Sequence, residues 1–254
     1  MKLVTWNVNS LKQRLPRVLE LLAEHRPDVV CLQETKCSAE AFPHDELAAA
    51  GYAAAEHSAG RWAGVALLAS RADPPQQVVA GLDGEALPGE ARWIEASIGP
   101  LRVASVYVPN GRALGTDTYA QKLDFLDAMG ERVAQLTAQH PHVVVAGDMN
   151  VAPEDCDVYD IDAFIGSTHV TAEERSRVAA LGLVDTFRRV NPDAQGFTWW
   201  DYRAGHFHKG LGLRIDLVLA TPGLAERAVS CGIDRDYRKG SKPSDHAPLL
   251  ATFS

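Results

Sequence analysis

Four apolar runs in this sequence each end in, or lead out of, polar groups capable of acid–base or metal chemistry. Asn7 follows Leu3-Val4-Thr5-Trp6, and Glu34 follows Val29-Val30-Cys31-Leu32-Gln33. Asp148 and Asn150 follow Val143-Val144-Val145-Ala146-Gly147, and Asp245 and His246 precede the last apolar run. Polar groups gathered at strand ends are how α/β sheets build sites. A lone carboxylate after a strand is more often a helix cap or turn residue, but four such places in one chain shift the balance. Carboxylate and amide oxygens suit a hard divalent ion, Mg2+ or Mn2+. Glu34, with Asn7 alongside, is the foremost ligand candidate. His246 can be a ligand, although a single histidine is more often an acid–base group or a core residue.

The elements that position these groups follow from periodicity. Lys2–Trp6 and Asp28–Leu32 read as strands, with Leu15, Val18, Leu19, Leu21 and Leu22 at helical spacing between them. Trp62–Ala69, Ala91–Ile98 and Leu101–Val108 read as strands, the last two joined at Gly99-Pro100. Arg71–Glu90, rich in Pro and Gly, reads as a loop. Tyr119–Ala138 and Thr171–Leu181 read as helices, His142–Ala146 as a buried strand, and Ile215–Ala220, Ala228–Ile233 and Ala247–Phe253 as closing strands. Hairpins mixed with helices favour an α/β layered sandwich over a purely parallel sheet. Thr5-Trp6-Asn7 and Gly147-Asp148-Met149-Asn150 are a faint internal echo. No linker interrupts the 254 residues, so one domain spanning 1–254 is expected.

Hydrophobic residues make up 46% of the chain, enough for a sizeable core without disulfides. Cys31, Cys37, Cys156 and Cys231 form no CxxC pair, which argues against zinc; Cys31 reads as a buried small hydrophobe. The first residues run straight into a strand-like segment with no signal-peptide core, and no stretch approaches membrane-spanning length. A cytoplasmic location and no membrane partner are the expectation. The net charge of −8 counts against nucleic-acid binding, but its distribution does not. Asp148 to Glu174 holds eight acidic residues and no Lys or Arg, whereas Arg203 to Lys242 holds eight Lys/Arg against four acids. The second stretch suits phosphate. Trp199, Trp200, Tyr202 and Phe207 lie beside Arg203, Lys209 and Arg214, a mixture that suits stacking on nucleotides between phosphate contacts. Trp200, Trp6 and Trp62 read as core, and His206 and His208 as loop residues without a metal.

Taken in order, seven motifs resemble the exonuclease III family of DNA-repair nucleases within the endonuclease/exonuclease/phosphatase superfamily. They are Trp6-Asn7-Val8-Asn9-Ser10, Leu32-Gln33-Glu34-Thr35-Lys36, Tyr107-Val108-Pro109-Asn110-Gly111, Gly147-Asp148-Met149-Asn150-Val151-Ala152-Pro153, Thr198-Trp199-Trp200-Asp201-Tyr202-Arg203, Leu213-Arg214-Ile215-Asp216 and Ser244-Asp245-His246-Ala247-Pro248. The resemblance covers nearly the whole chain. It implies a four-layer α/β sandwich of two facing mixed β-sheets flanked by helices. It implies Asn7 and Glu34 at the metal, Asp148 aligning the attacking water with Asn150 in the same loop, and Tyr107 near the scissile phosphate. It also implies an Asp216–His246 pair, Asp245 as a metal-proximal carboxylate, and Trp199 lining the pocket for a flipped abasic sugar. Leu213 falls where relatives differ. Neighbours in an extended segment point to opposite faces, so His246 is expected to pair with distant Asp216, leaving Asp245 free for the metal. Arg203 and Arg112 are further candidate substrate contacts.

The expected activity is metal-dependent hydrolysis of phosphodiester bonds at abasic sites or 3′ ends of double-stranded DNA, by a monomer acting at the nucleoid. Such hydrolysis needs an aligned nucleophile, charge neutralisation and help for the leaving oxygen. The alternative within the superfamily is a phosphatase or phospholipase-like esterase acting on a sugar or lipid phosphate. It would need neither the Trp199–Arg203 segment nor the basic stretch. A non-catalytic binding module is disfavoured by intact residues at every catalytic position.

Overall fold

The computed structural model describes residues 1–254. Strands β1 (Lys2–Asn7), β2 (Val29–Gln33), β3 (Tyr52–His57) and β4 (Val65–Ser70) are joined by β11 (Ala228–Ile233) and β12 (Leu249–Phe253) in one sheet, ordered β11-β12-β1-β2-β4-β3. The second sheet is β5 (Gln76–Ala80), β6 (Trp93–Ile98), β7 (Leu101–Tyr107), β8 (Val143–Asp148), β10 (Asp216–Ala220) and the short β9 (Val184–Asp185), ordered β5-β6-β7-β8-β10-β9. Each sheet is mixed. β1 is parallel to β2 and antiparallel to β12, and β8 is parallel to β7 and antiparallel to β10. The echo between the Asn7 and Asp148 turns therefore has a counterpart: each follows a strand with one parallel and one antiparallel neighbour.

Side-chain alternation sorts the core into three slabs. Leu3, Cys31, Leu67, Val103, Val144, Val218 and Leu249 fill the space between the sheets. Val4, Trp6, Val30, Leu32 and Leu68 face outward with Leu11, Val18, Leu21 and Leu22 of α1 (Leu11–His25) and Leu47 of α2 (His44–Ala49). Val106, Val145 and Leu217 face the other way, with Phe125, Met129 and Val133 of α3 (Asp117–Gln139) and Val178 of α4 (Ala172–Ala179). The layers are thus helix, sheet, sheet, helix. α3 begins at a Thr116 cap whose hydroxyl accepts from the Tyr119 amide, and α4 carries a Thr171–Glu174 capping box. No helix is long and apolar enough to cross a membrane.

Three expectations are corrected. The Arg71–Glu90 segment contains an edge strand, β5, whose five residues are all exposed, so no buried face marks it in the sequence. Trp62 is not core: the strand begins at Val65, and the indole is 67% exposed, beneath the Arg61 guanidinium. Trp6 and Trp200 are buried. The basic stretch is not one face either. Arg214 is fully buried against Asp157 and Asp185, and Arg227 binds the Ser254 carbonyl beside the opposite strand ends.

The close fit of β7 to β8 is sharpest at Gly147, where an added Cβ would lie 2.0 Å from the Val106 carbonyl oxygen. Gly147→Ala must push the strands apart one residue before Asp148. Overpacking of this kind costs about 1–3 kcal/mol, so a thermal melt should show a lowered Tm; an unchanged Tm would mean the strands separate freely here.

Candidate active site

The inward-facing phase of four strands carries the candidate groups to one rim of the sandwich. On β8, Val144 and Ala146 face the inter-sheet core, and Asp148 continues that face. Asp216 does the same for Val218 and Ala220 on β10, and Tyr107 for Leu101 and Val103 on β7. Register aligns them in a row, because Asp148 is the partner of Asp216 on one side and of Tyr107 on the other. From the facing sheet, Asn7 ends β1 and Glu34 follows β2. A buried polar layer of Thr5, Gln33 and Ser105 separates this row from the apolar core, with Gln33 Nε2 donating to Ser105 Oγ of the opposite sheet at 3.0 Å.

Asp216 and His246 are brought together: His246 Nδ1 lies 2.8 Å from Asp216 Oδ2, and its Nε2 lies 3.7 Å from Asp148 Oδ2. The segment at Thr198-Trp199 holds the pair in register. Thr198 Oγ1 accepts from the amides of Ile215 and Asp216, and its carbonyl accepts from the Ala247 amide. Trp6 Nε1 donates to the His246 carbonyl at 3.0 Å. Burial by itself disfavours the imidazolium, but the Asp216 and Asp148 carboxylates outweigh it and push the His246 pKa up to about 10. Burial also raises Asp148, to about 7, with Asp216 and Glu34 adding to the rise and the His246 charge opposing it. The Tyr107 phenol is raised well above its ordinary value by burial and by the carboxylates of Glu34 and Asp148, so it stays protonated and able to donate.

Glu34, Asp148 and His246 offer ligand atoms within 4.8 Å of one another. Asp245 is linked to this group through Asn9, whose Nδ2 donates to Asp245 Oδ1 while its Oδ1 accepts from Lys36 Nζ. Lys36 in turn sits 2.5 Å from Glu34 Oε2. The donor set fits a hard divalent cation. Asp216 Oδ1 is buried without a hydrogen-bond partner, burial together with the Asp216 and Glu34 carboxylates raises Asp148 to about 7, and Lys36 is an ammonium beside Glu34. Glu34 and Asp148 are the carboxylates of that group able to hold it. Asn7 and Asn150 are both engaged within the protein. The Asn7 amide donates from Nδ2 to Glu34 Oε1 and Asp148 Oδ2, presenting its nitrogen. Asn150 spends its amide on Asn110 Nδ2 and the Val108 carbonyl. His246 has Nδ1 committed to Asp216 and is held as a cation, which suits an acid better than a ligand.

Among the expected substrate contacts, Trp199 lines a recess of about 190 Å³ together with Glu34, Tyr107, Asp148, Asp245 and His246, and its Nε1 donates to Asp245 Oδ2 at 3.1 Å. Leu213 does not reach the recess: it is buried with Ala152, Val158 and Ile215, and Trp199 packs against that cluster. Arg203 is exposed and doubly bonded to Asp201 rather than gathered into the site. Arg112 lines a second, larger cavity of about 450 Å³ that shares Glu34, Tyr107 and Asn110 with the recess. Sequence reasoning missed Asn9, Lys36 and Asn110, although all three lie inside the quoted motifs. It also missed His169, which lines the recess from a loop without pattern. Its Nδ1 donates to the Asn150 carbonyl at 2.6 Å, and burial aided by the Lys122 charge keeps the ring neutral, with a pKa near 4. Glu34, Lys36, Arg112, Asn150 and His169 all have positive φ, a concentration of costly backbone at one rim.

Comparison with known proteins places this geometry. The profile of the endonuclease/exonuclease/phosphatase family matches residues 4–246. An exodeoxyribonuclease III of Haemophilus influenzae is 34% identical over 268 residues, covering 100% of each chain. A 3′-5′ exonuclease, NExo, from Neisseria meningitidis superposes with a TM-score of 0.96 at 38% identity over 100% of both chains. A Neisseria NExo described as a 3′ phosphatase, bound to a product DNA hairpin, superposes equally well, at 38% identity over 100% of this chain and 99% of that one. An AP endonuclease from Archaeoglobus fulgidus gives 0.93 at 36% identity, over 100% of this chain and 99% of that one.

The Asp216–His246 pair has a direct test. In metal-free protein labelled with 15N-histidine, the His246 ring should titrate near 10, and Asp216→Asn should move that midpoint down. The sign for stability follows. The imidazolium's folded pKa is raised, so its contribution is complete below the ordinary histidine value of about 6.5 and is lost as pH climbs through about 10. An unmoved midpoint in Asp216→Asn would dissolve the pair.

Proposed function

The chain belongs to the endonuclease/exonuclease/phosphatase family, and we propose that it is a DNA repair nuclease, a metal-dependent hydrolase of phosphodiester bonds, with 3′ ends of duplex DNA as its principal substrate. The whole chain, 1–254, is read as one catalytic domain acting as a monomer with Mg2+, Mn2+ serving in its place. The observation that carries the reading is the run Asp216–His246–Asp148 facing Glu34 across a recess of about 190 Å³. The exodeoxyribonuclease, 3′-5′ exonuclease and AP endonuclease names of its relatives support DNA over a sugar or lipid phosphate.

Each group has a task. Asp148, aligned in the row with Asp216 and Tyr107, accepts the proton of the attacking water. His246, charged and aimed through Nε2 toward Asp148, donates to a phosphoryl oxygen and stabilises the charge that develops there. Asp216 fixes the ring's tautomer and orientation. Tyr107, which stays protonated, donates a hydrogen bond from its hydroxyl to another phosphoryl oxygen. Asn7 holds Glu34 and Asp148 in place without adding negative charge beside an anionic substrate. Glu34 and Asp148 would hold a divalent ion here, which would supply neutralisation of charge on the phosphoryl oxygens.

The choice of 3′ ends over abasic sites rests on the Neisseria 3′ phosphatase and 3′-5′ exonuclease, at 38% identity; the His169 ring and Trp199 line the recess that a terminal group would enter.

Duplexes carrying a 3′-phosphate at a nick, an internal abasic analogue, or neither, each with Mg2+ or chelator, test the reading. Removal of the 3′-phosphate should be metal-dependent and at least about tenfold faster than abasic cleavage, a difference of about 1.4 kcal/mol in barrier. His169→Ala, which opens the recess, should narrow that gap. Equal or faster abasic cleavage by the wild type would reverse the preference, and no metal-dependent cleavage of any duplex would end the proposal. Glu34→Gln should weaken metal binding by calorimetry and lower the rate by orders of magnitude; a wild-type metal titration would remove Glu34 from the ligand set.

A further inference from the structure

We propose that Lys122, which lies outside the recess, is a positioning residue for it: one buried ammonium that ties together the three loops carrying Asn110, Asn150 and His169. The inference rests on the site reading above. Lys122 projects from the buried face of α3 and pairs with Glu174 of α4 at 2.5 Å, both side chains fully buried. An ammonium has three protons to give. They go to the Asn150 carbonyl at 2.7 Å, Thr168 Oγ1 at 3.0 Å and Glu174 Oε1, with the Asn110 carbonyl at 3.4 Å. Glu174 extends the tie. Its Oε1 accepts from Thr168 Oγ1 and the His169 amide, while its Oε2 accepts from the Thr171 amide and hydroxyl. Thr168 Oγ1 also reaches the Asn110 carbonyl at 3.1 Å.

The packing here is tight as well as polar. At Gly111, with φ +82°, an added Cβ would lie 2.8 Å from Lys122 Cδ and 3.1 Å from Thr168 Oγ1. The first loop therefore passes directly over the lysine stem. What the tie fixes is the wall of the recess. Asn110, Asn150 and His169 line it, Asn110 Nδ2 bonds Asn150 Oδ1, and the Asn150 amide nitrogen binds Asp148 Oδ1 at 2.9 Å. The loops reach Asp148 through that last bond. Stability alone is a poor reason for such a pair, because replacing a buried ion pair with apolar groups of similar size is often neutral or stabilising.

The test uses the full chain with Lys122→Met and Glu174→Gln combined, which leaves no unpaired buried charge. Three results are expected together with a native far-UV spectrum. The kcat for 3′-phosphate removal falls about 100-fold, the scale of loss from a misplacement of roughly 1 Å. KM and calorimetric metal affinity stay at wild-type values. Amide hydrogen exchange quickens in segments 108–112, 149–153 and 167–170 while the strands keep their protection. A folded double variant with wild-type kcat, a loss that falls on KM, or unchanged exchange in those segments would each overturn the inference. If the double variant does not fold, Thr168→Val, which keeps the ion pair, should lower kcat with KM unchanged; wild-type kcat there would overturn it equally. The exchange measurement needs no substrate, so it judges the tie even if the wild type cleaves none of the duplexes.

Discussion

The carboxylates of Glu34, Asp148, Asp216 and Asp245 share one rim of the sandwich with few positive charges, and most of the site's architecture answers that crowding. Buried like charges cannot all ionise without compensation. His246 is therefore drawn between Asp216 and Asp148 and held as a cation. Lys36 is drawn against Glu34 and Asn9. The Asn7 amide turns its nitrogen toward two carboxylates, and the indole nitrogen of Trp199 caps a third. Even so, Asp216 Oδ1 is left without a partner and Asp148 titrates near 7. A rim so short of positive charge is prepared for a divalent ion and an ordered anionic substrate beside it.

Strand alternation decides which residues meet there. Asp148, Asp216 and Tyr107 extend the inward faces of β8, β10 and β7, and Asn7 that of β1. A one-residue slip in any of these strands would turn its polar end outward and an apolar residue into the slot. The loops beyond the strand ends then supply what alternation cannot. They do so with left-handed backbone at Glu34, Lys36, Asn150 and His169, conformations that survive only because sheet ends and buried ties over-determine them.

Most of this was legible in the chain. The apolar runs ending at Asn7, Glu34 and Asp148 are strands, and the adjacent Asp245 and His246 bond different partners, Asn9 and Asp216. What could not be read has physical causes. β5 is an exposed edge strand, without the buried side that makes a pattern. Lys122 and Glu174 look like ordinary solvated helix residues, since burial of an ion pair depends on what packs over it. Trp62 and Leu213 exchanged expected roles, one exposed and one buried, because an apolar side chain's place at a loop edge is set by the facing layer. The orientation of the Asn7 amide follows from electrostatics that only the assembled rim contains.

β1 lies in the middle of its sheet with β12 as a neighbour, the Met1 amine binds the Phe253 carbonyl, and Trp6 holds the carbonyl of His246. The first and last segments of the chain thus form adjoining parts of one site. Asn7 and Glu34 lie near one end of this sequence and His246 near the other, so the rim is assembled only when strands far apart in sequence pair. The slow, long-range pairing that completes the sheet is also the step that completes the chemistry. A chain that loses the β1–β12 pairing therefore keeps Asn7 and Glu34 but not the neighbour that brings His246 to them.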